Sequence, residues 1–212
     1  KQLCFQLNEI FIPVLTKNSK LFNKISISAK ELTQENYCCK NASATGFSRG
    51  VDSFDTICSL SENRTEKLSH LTFFFFCSHR STANYTPEQS AELYENRLEI
   101  AKKSAKIFDM PLIDINSNLG EHLTLPYVKV HHYCSFSAVL CMQKFFKNYY
   151  YASGYPISSF SIKQCDTGSA HYEAFTASML STESTDFYIT GLEKTRLEKV
   201  DFISKFPITY DN

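Results

Sequence analysis

The hydrophobic pattern changes at residue 42, and from there short apolar runs alternate with longer stretches of helical spacing. Runs that are continuous in apolar and small residues indicate buried strands. They cover residues 42–47, 70–77, 111–115, 149–153 and 186–190. Between these runs, apolar side chains recur every three or four positions, which predicts amphipathic helices that cover a sheet.

Two of the predicted helices begin at capping boxes, in which a threonine and a residue three positions later cap each other's backbone. Thr86 and Gln89 form the first box, with Pro87 suited to the first turn, and Thr195 and Glu198 form the second. The apolar stripes of the helices consist of Phe54, Ile57 and Leu60; Ala91, Tyr94, Leu98, Ala101, Ala105 and Phe108; Val130, Cys134, Ala138, Cys141 and Phe145; Tyr172, Phe175 and Met179; and Leu197 with Val200.

Strand and helix alternate along residues 41–212, which predicts an α/β domain whose parallel sheet is covered by helices on both faces. In such sheets ligands bind at the carboxyl ends of the strands, near the point where the strand order reverses. We therefore expect the functional site at that edge.

Residues 1–40 follow a different pattern. Residues 10–15 and 24–28 are predicted as short strands, with Pro13 at an edge position. We interpret this stretch as the remnant of an N-terminal domain or as an extension. The chain begins at Lys1 and ends at Asn212, and we expect a piece of a longer protein, truncated at the C-terminus.

The net charge of the chain and its apolar runs limit the kinds of partner that it is expected to bind. Lysine and arginine number 22, and aspartate and glutamate also number 22, so the formal net charge is zero. Binding to nucleic acid or to an anionic membrane needs a basic surplus, which makes both partners unexpected. No apolar run approaches the roughly 18 residues that a membrane span requires.

The 8 cysteines include no pair with CxxC spacing, and most of them lie within apolar runs. This usage favours reduced, buried thiols in a cytoplasmic protein over a disulfide framework. The spacing is also unlike that of zinc ligands.

One strand-to-helix connection carries candidate chemistry. It follows Phe47 and reads Ser48-Arg49-Gly50-Val51-Asp52-Ser53. Free backbone N–H groups at a helix N-terminus attract anions, and the helix dipole adds to this attraction. Gly50 lets the backbone approach a phosphate, and the hydroxyls of Ser48 and Ser53 can donate hydrogen bonds. Asp52 would repel an anion, so we interpret it as a ligand of Mg²⁺ or as a cap of the loop.

This connection is neither a GxxxxGK[ST] Walker loop nor a GxGxxG dinucleotide loop. It resembles the SGGxDS signature of the PP-loop ATP pyrophosphatases. Arg49 departs from that signature, which has glycine at this position. If the backbone is left-handed there, a side chain costs on the order of 1 kcal/mol, and arginine can offset this cost by a charge-assisted bond to phosphate.

Other short segments, in the same order along residues 42–206, are similar to those of the 7-cyano-7-deazaguanine synthases of the same superfamily. They are Cys77-Ser78-His79-Arg80, Gly154-Tyr155-Pro156, Cys165-Asp166 with Glu173-Ala174-Phe175, and Lys194-Thr195-Arg196-Leu197-Glu198-Lys199. The resemblance implies a HUP-type (Rossmann-like) three-layer domain with a parallel five-stranded sheet. It also implies that basic side chains at the start of the last helix face a nucleotide.

What the resemblance implies for function is an ATP- and Mg²⁺-dependent enzyme that adenylates a small-molecule acceptor, releases pyrophosphate and then AMP, and forms an amide- or nitrile-type product. The implied catalytic residues are Arg49, Asp52, Lys194 and Arg196, with Asp52 also a metal ligand. The implied nucleotide-binding residues are Phe47, Ser48, Arg49, Gly50, Val51, Asp52, Ser53, Ser78, His79 and Arg80. The four-cysteine zinc cluster of the deazaguanine synthases has no counterpart in the chain, so either Zn²⁺ binds in a C-terminal segment outside it or this branch of the superfamily lacks the cluster.

Two further functions stay open. A tRNA sulfur-transfer enzyme of the same superfamily would use Cys134 or Cys165 as sulfur carrier, although a structural thiol is favoured for both. A nucleotide-binding module without turnover is kept open by Arg49. A substrate-facing role for His131 and His132 is weighed against a solvated helix start, which is favoured. A homodimer is also left open.

Overall fold

A computed structural model describes residues 1–62, 67–76, 86–119 and 126–210. It contains one parallel sheet, and every predicted strand from residue 42 onwards is confirmed within a few residues at its ends. The strands are β1 (Ala42–Gly46), β2 (His70–Phe76), β3 (Leu112–Ser117), β4 (Phe146–Ala152) and β5 (Asp186–Thr190), in the order β3-β2-β1-β4-β5.

The helices that cover the sheet turn most of the predicted stripe residues inward, but Ala91, Cys141, Leu197 and Val200 are exposed, so the stripe predicted for the last helix is wrong. The helices are α2 (Val51–Glu62), α3 (Pro87–Ile107), α4 (His131–Cys141), α5 (Glu173–Leu180) and α6 (Arg196–Ile203). Both capping boxes are present, at Thr86 and Thr195. Phe145, which was predicted on the stripe of α4, lies beyond its end, because residues 142–145 turn directly into β4.

The core lies on both faces of the sheet, as expected for strands whose side chains alternate between two covered faces. On one face, residues such as Leu71 and Tyr150 pack with α2, α3 and α6. On the other face, Phe146 and Tyr149 pack with α4 and α5. The predicted three-layer, Rossmann-like α/β fold is therefore confirmed. Among the described residues, none of the helices combines the length and the apolarity needed to cross a membrane.

The strand prediction for residues 10–15 is wrong. This stretch belongs to an N-terminal helix, α1, which consists of Gln2–Phe5, a π-helical segment Gln6–Phe11 and Ile12–Asn18. A continuous apolar run cannot distinguish a strand from a buried helix, and here the helical stripe of Leu7, Phe11 and Leu15 packs on Tyr172. Pro13 lies near the start of the last segment, where a missing N–H is tolerated.

The prediction of a strand at residues 24–28 is also wrong. All five residues are described, and they form neither helix nor strand. The stretch is nevertheless tied to α1, because the side chain of Asn8 donates to the carbonyl of Ile27 at 2.7 Å and accepts from its N–H at 2.8 Å. Residues 1–18 therefore pack on the α/β domain, and Ile27 is bonded to them.

The docking of α1 can be tested at Phe11, which is 6 % exposed and lies 5.5 Å from Phe175 between ring centroids. Phe11→Ala is expected to lower the free energy of unfolding in urea by about 3 kcal/mol, because it leaves a cavity between α1 and α5. Phe5→Ala is the control, since Phe5 is 61 % exposed and its loss should cost less than about 0.5 kcal/mol. Equal effects of the two substitutions would show that α1 does not dock as described.

Candidate functional site

An open cleft of about 280 Å³ lies at the carboxyl ends of β1 and β4. The chain runs outward from β1 through β2 to β3, and then returns to the other side of β1 to form β4 and β5. The gap between β1 and β4 is therefore the topological switch point, where open α/β sheets bind ligands. The cleft is lined by Gly46, Phe47, Ser48, Asp52, Ser53, Phe74, Tyr127, His131, Ser135, Tyr151, Ala152, Gly154, Ala170 and Glu173.

Residues 48–53, here called the 48–53 turn, form one wall of this cleft and include the first residues of α2. The turn is held by its own side chains, since Ser48 Oγ accepts from the Gly50 N–H at 3.2 Å and Ser53 Oγ donates to the Gly50 carbonyl at 2.8 Å. The first N–H groups of α2 have no intrahelical partner and carry the positive end of the helix dipole. The turn thus has the geometry that attracts an anion at a switch point.

Arg49 adopts the left-handed conformation that the glycine of the signature would favour, with φ of 63°. This backbone costs a residue with a side chain on the order of 1 kcal/mol. Arg49 Nε is shielded from solvent and has no hydrogen-bond acceptor among the described residues. A shielded guanidinium N–H without an acceptor is unfavourable, and an anion at the turn would remove that cost.

Asp52 is held by two cations from α6. Its Oδ2 accepts from Arg196 at 2.9 Å, and its Oδ1 accepts from Lys199 Nζ at 3.1 Å. Arg196 is 63 % exposed at its side chain, whereas that of Lys199 is 2 % exposed. Lys199 also donates to the Ser153 carbonyl at 2.5 Å, so its buried charge has two acceptors.

Lys194 lies behind this pair and outside the cleft lining. Its ammonium donates to Asp55 at 2.7 Å and to Ser59 at 3.0 Å, and it lies 4.1 Å from the centroid of the Phe202 ring. Asp55 is 1 % exposed, so this is a largely buried ion pair between α2 and the residues that precede α6. The basic residues around the start of α6 therefore have two different partners. Lys194 binds Asp55, whereas Arg196 and Lys199 bind Asp52.

The opposite wall of the cleft is formed by the starts of α4 and α5. Glu173, the first residue of α5, is 2 % exposed and accepts from the hydroxyl of Ser153 and from the N–H of Gly154. Burial raises the pKa of the Glu173 carboxyl to about 7, against the lowering effect of these hydrogen bonds and of Lys199. Glu173 can therefore exchange a proton near neutral pH.

His131 and His132 correct the expectation of a solvated helix start. His131 lines the cleft, and its Nδ1 lies 3.0 Å from the hydroxyl of Ser169. His132 is 0 % exposed and packs against Tyr133 and Phe136. Burial lowers the pKa of both imidazoles, so both are neutral at pH 7.

The structure brings together part of the predicted site. Phe47, Ser48, Asp52 and Ser53 line the cleft, and the rest of the 48–53 turn, Arg49, Gly50 and Val51, lies beside them. Ser78, His79 and Arg80 lie outside the described residues. Within the described ranges, no group of three or more His, Cys, Asp or Glu side chains could hold a metal ion.

The predicted reduced thiols show mixed burial. Of the described cysteines, all are free, and Cys58, Cys134 and Cys165 are buried, while Cys39 and Cys141 are exposed. Burial raises the pKa of the Cys134 and Cys165 thiols. These two candidates for sulfur transfer are thus enclosed and protonated at neutral pH, which is unlike a reactive thiolate.

Sequence reasoning did not single out Lys199 or Glu173 as members of the site, and for His131 it favoured a solvated helix start over the substrate-facing role. The stripe predicted for α6 would place Leu197 and Val200 inward, yet the helix turns Lys199 inward and leaves Leu197 78 % exposed. Its spacing of four from Ile203, which is also buried, is the local signal that could have revealed the inward face.

Comparisons with protein-family models, with curated proteins and with solved structures find no match for this chain. Its function therefore has to be inferred from the cleft.

The raised pKa of Glu173 predicts that the free energy of unfolding depends on pH. This pKa is about 7 in the folded protein against 4.5 for an ordinary glutamate, so between these values the folded state keeps a proton that the unfolded chain has lost. The free energy of unfolding then falls as the pH rises through this window, by about 3 kcal/mol in total. Glu173→Gln should remove that fall.

Urea denaturation at pH 5, 6, 7 and 8 measures this effect. Relative to the parent, the Glu173→Gln protein should gain stability as the pH rises from 5 to about 7, and the gain should level off above that value. Glu95→Gln, at an exposed position of α3, is the control and should leave the profile unchanged. Parallel stability curves for the parent and the Glu173→Gln protein would contradict the buried, titrating carboxyl.

Arg49→Gly tests the strain in the 48–53 turn. Because glycine adopts positive φ freely, the substitution is expected to raise the free energy of unfolding by up to about 1 kcal/mol in the absence of any anion. Arg49→Ala is the matched control, since it removes the guanidinium and keeps the strained backbone. If Arg49→Gly is no more stable than Arg49→Ala, position 49 is not strained.

Proposed function

We propose that the cleft between β1 and β4 binds ATP and that the protein is an ATP pyrophosphatase, which adenylates an acceptor with release of pyrophosphate. The observation that carries the proposal is the position of the 48–53 turn, which joins β1 to the N-terminus of α2 at the switch point and lines the cleft. The turn that resembles the PP-loop signature therefore lies at the edge of the sheet where open α/β sheets bind phosphate groups.

The charges around the turn support phosphate binding. Arg49 lies within the turn, and its shielded Nε has no acceptor among the described residues, while Arg196 is exposed and bonded to Asp52 of the turn. Lys199 neutralises Asp52 from the protein interior. An incoming polyphosphate would therefore meet the N–H groups of α2 and the guanidinium groups of Arg49 and Arg196, with the charge of Asp52 already balanced.

Mg²⁺ fits this arrangement through Asp52, the carboxylate of the turn, together with phosphate oxygens, which is how the ion is usually held. When bound, it would neutralise charge on the leaving pyrophosphate. Asp52 would then exchange its contact with Arg196, the more exposed of its two cations, for the ion.

In this reaction the protein mainly positions ATP and the acceptor and stabilises the charge that develops on the phosphates. In the proposed reaction, an acceptor oxygen bonds to the α-phosphorus, the bond from that phosphorus to the bridging oxygen breaks, and pyrophosphate leaves. A nucleophile such as ammonia then displaces AMP from the adenylate. The 48–53 turn would hold the phosphates, and the distal wall with Glu173 would hold the acceptor.

Analysis of nucleotide products tests the proposal. The protein is incubated with ATP and Mg²⁺, with and without ammonium and cell extract, and AMP and pyrophosphate are quantified. We expect AMP from the parent protein and a loss of at least tenfold for Asp52→Asn, which removes the carboxylate charge of the turn. Glu92→Gln, at an exposed position of α3, serves as the matched control and should retain full activity. ADP as the product would overturn the assignment.

A non-catalytic nucleotide-binding module is the second candidate, and Asp52 is the observation that favours it. Both of its carboxylate oxygens are already bound by cations of α6, and Arg49 occupies the glycine position of the signature. ATP that raises the melting temperature of the parent but not of Asp52→Asn, without formation of AMP, would establish this alternative. Sulfur transfer is disfavoured by the burial of Cys134 and Cys165.

A further inference from the structure

The cleft has two chemically different halves. The first half consists of the residues of β1 and the 48–53 turn, which present N–H groups and hydroxyls. The second half, here called the distal half, lies against α4 and α5 and consists of Tyr127, His131, Ser135, Tyr151 and Glu173. The phosphates of the proposed nucleotide account for the first half only, so the lining of the distal half bears on the chemistry of the acceptor.

Glu173 is the charged group of the distal half. It is held by the hydroxyl of Ser153, which is itself 0 % exposed, and by the N–H of Gly154. Ser153 is fixed in turn, because its carbonyl accepts from Lys199. A carboxyl group with two fixed donors keeps capacity for further hydrogen bonds, and its orientation is set before a ligand arrives.

The other lining groups of the distal half offer flat apolar surface and neutral polar atoms. The rings of Tyr127 and Tyr151 form its walls, and Tyr127 is 44 % exposed at the mouth. Burial keeps the imidazole of His131 neutral. Among the described residues that line the cleft, the charged side chains are Asp52 and Glu173, and both are acidic.

A ligand carboxylate in this half would lie close to Glu173 without a cation from the described lining to balance it. A ligand N–H group, by contrast, would find a preorganised acceptor and apolar walls. We propose that the distal half binds the acceptor substrate through an N–H donor group, an amine, amide or amidine on a small planar compound, which Glu173 holds. This inference rests on the proposed function only in naming the ligand an acceptor.

Three small probes of the same shape test the chemistry of the distal half: benzamidine, benzamide and benzoate. Their affinities for the full chain are measured by ligand-observed saturation-transfer NMR at pH 8. Benzamidine should bind at least about tenfold more tightly than benzoate, with benzamide between them, because a carboxylate gains about that factor from a charged donor. Weaker or equal binding of benzamidine, or no binding of any probe, would overturn the inference.

Glu173→Gln should reduce the preference for benzamidine over benzoate to less than about threefold, and Glu92→Gln should leave it intact. Gly154→Leu gives a second variant that does not alter the carboxyl. An added Cβ at Gly154 meets no heavy atom within 4 Å, so the larger side chain should enter the cleft and weaken benzamidine without unfolding the protein. Unchanged selectivity in Glu173→Gln would contradict the assignment of the carboxyl.

Pyrophosphate, titrated into the same samples, separates this inference from the proposed function. Pyrophosphate binding without benzamidine selectivity would remove the distal assignment and leave the nucleotide proposal standing. Benzamidine selectivity without pyrophosphate binding would remove the nucleotide proposal and support an N–H-specific site.

Discussion

The parallel pairing of β1 with β4 is the contact on which the cleft depends. It places two strands side by side whose connections leave in opposite directions, so their carboxyl ends are not covered by a crossover helix. Side chains strengthen the pairing, because Thr45 Oγ1 donates to the Tyr150 carbonyl at 2.7 Å across the two strands. The turn after β1 and the residues after β4 then face each other across the opening.

A compact set of charges behind the cleft connects its two walls. Glu173 bonds to Ser153, Ser153 accepts from Lys199, and Lys199 bonds to Asp52 on the opposite wall. Gly191 makes room for this set. Its φ is +71°, and a Cβ there would lie 2.8 Å from Asp55 Oδ2 and 2.9 Å from Lys199 Cε. Glycine is therefore required at position 191, since any side chain would displace the ion pairs.

The sequence predicts the fold from residue 42 onwards because its local signals agree with one another. Apolar runs mark the strands, and the capping boxes at Thr86 and Thr195 mark two helix starts. The signals fail where an apolar run fits two structures, as at residues 10–15, which lie in α1 and pack on Tyr172 through Phe11 and Leu15.

Only one wall of the cleft could be predicted, because its residues are contiguous in the 48–53 turn. The other wall depends on tertiary contacts. Glu173 and His131 are ordinary polar residues at helix starts until packing places both in the lining of the cleft, and Lys199 is buried because α6 turns Leu197 outward. Asp52 and Lys199 lie 147 residues apart in the sequence, and no local pattern indicates that such a pair will meet.

The central claim is that the 48–53 turn at the switch point binds a phosphate chain. A titration of ¹⁵N-labelled protein with inorganic pyrophosphate, followed residue by residue in ¹H–¹⁵N correlation spectra, tests it most directly. We predict that the amide resonances of residues 49–53 shift first and saturate together. Saturation that is confined to the lysines of α3, Lys102, Lys103 and Lys106, or an absence of shifts in the turn, would contradict the claim.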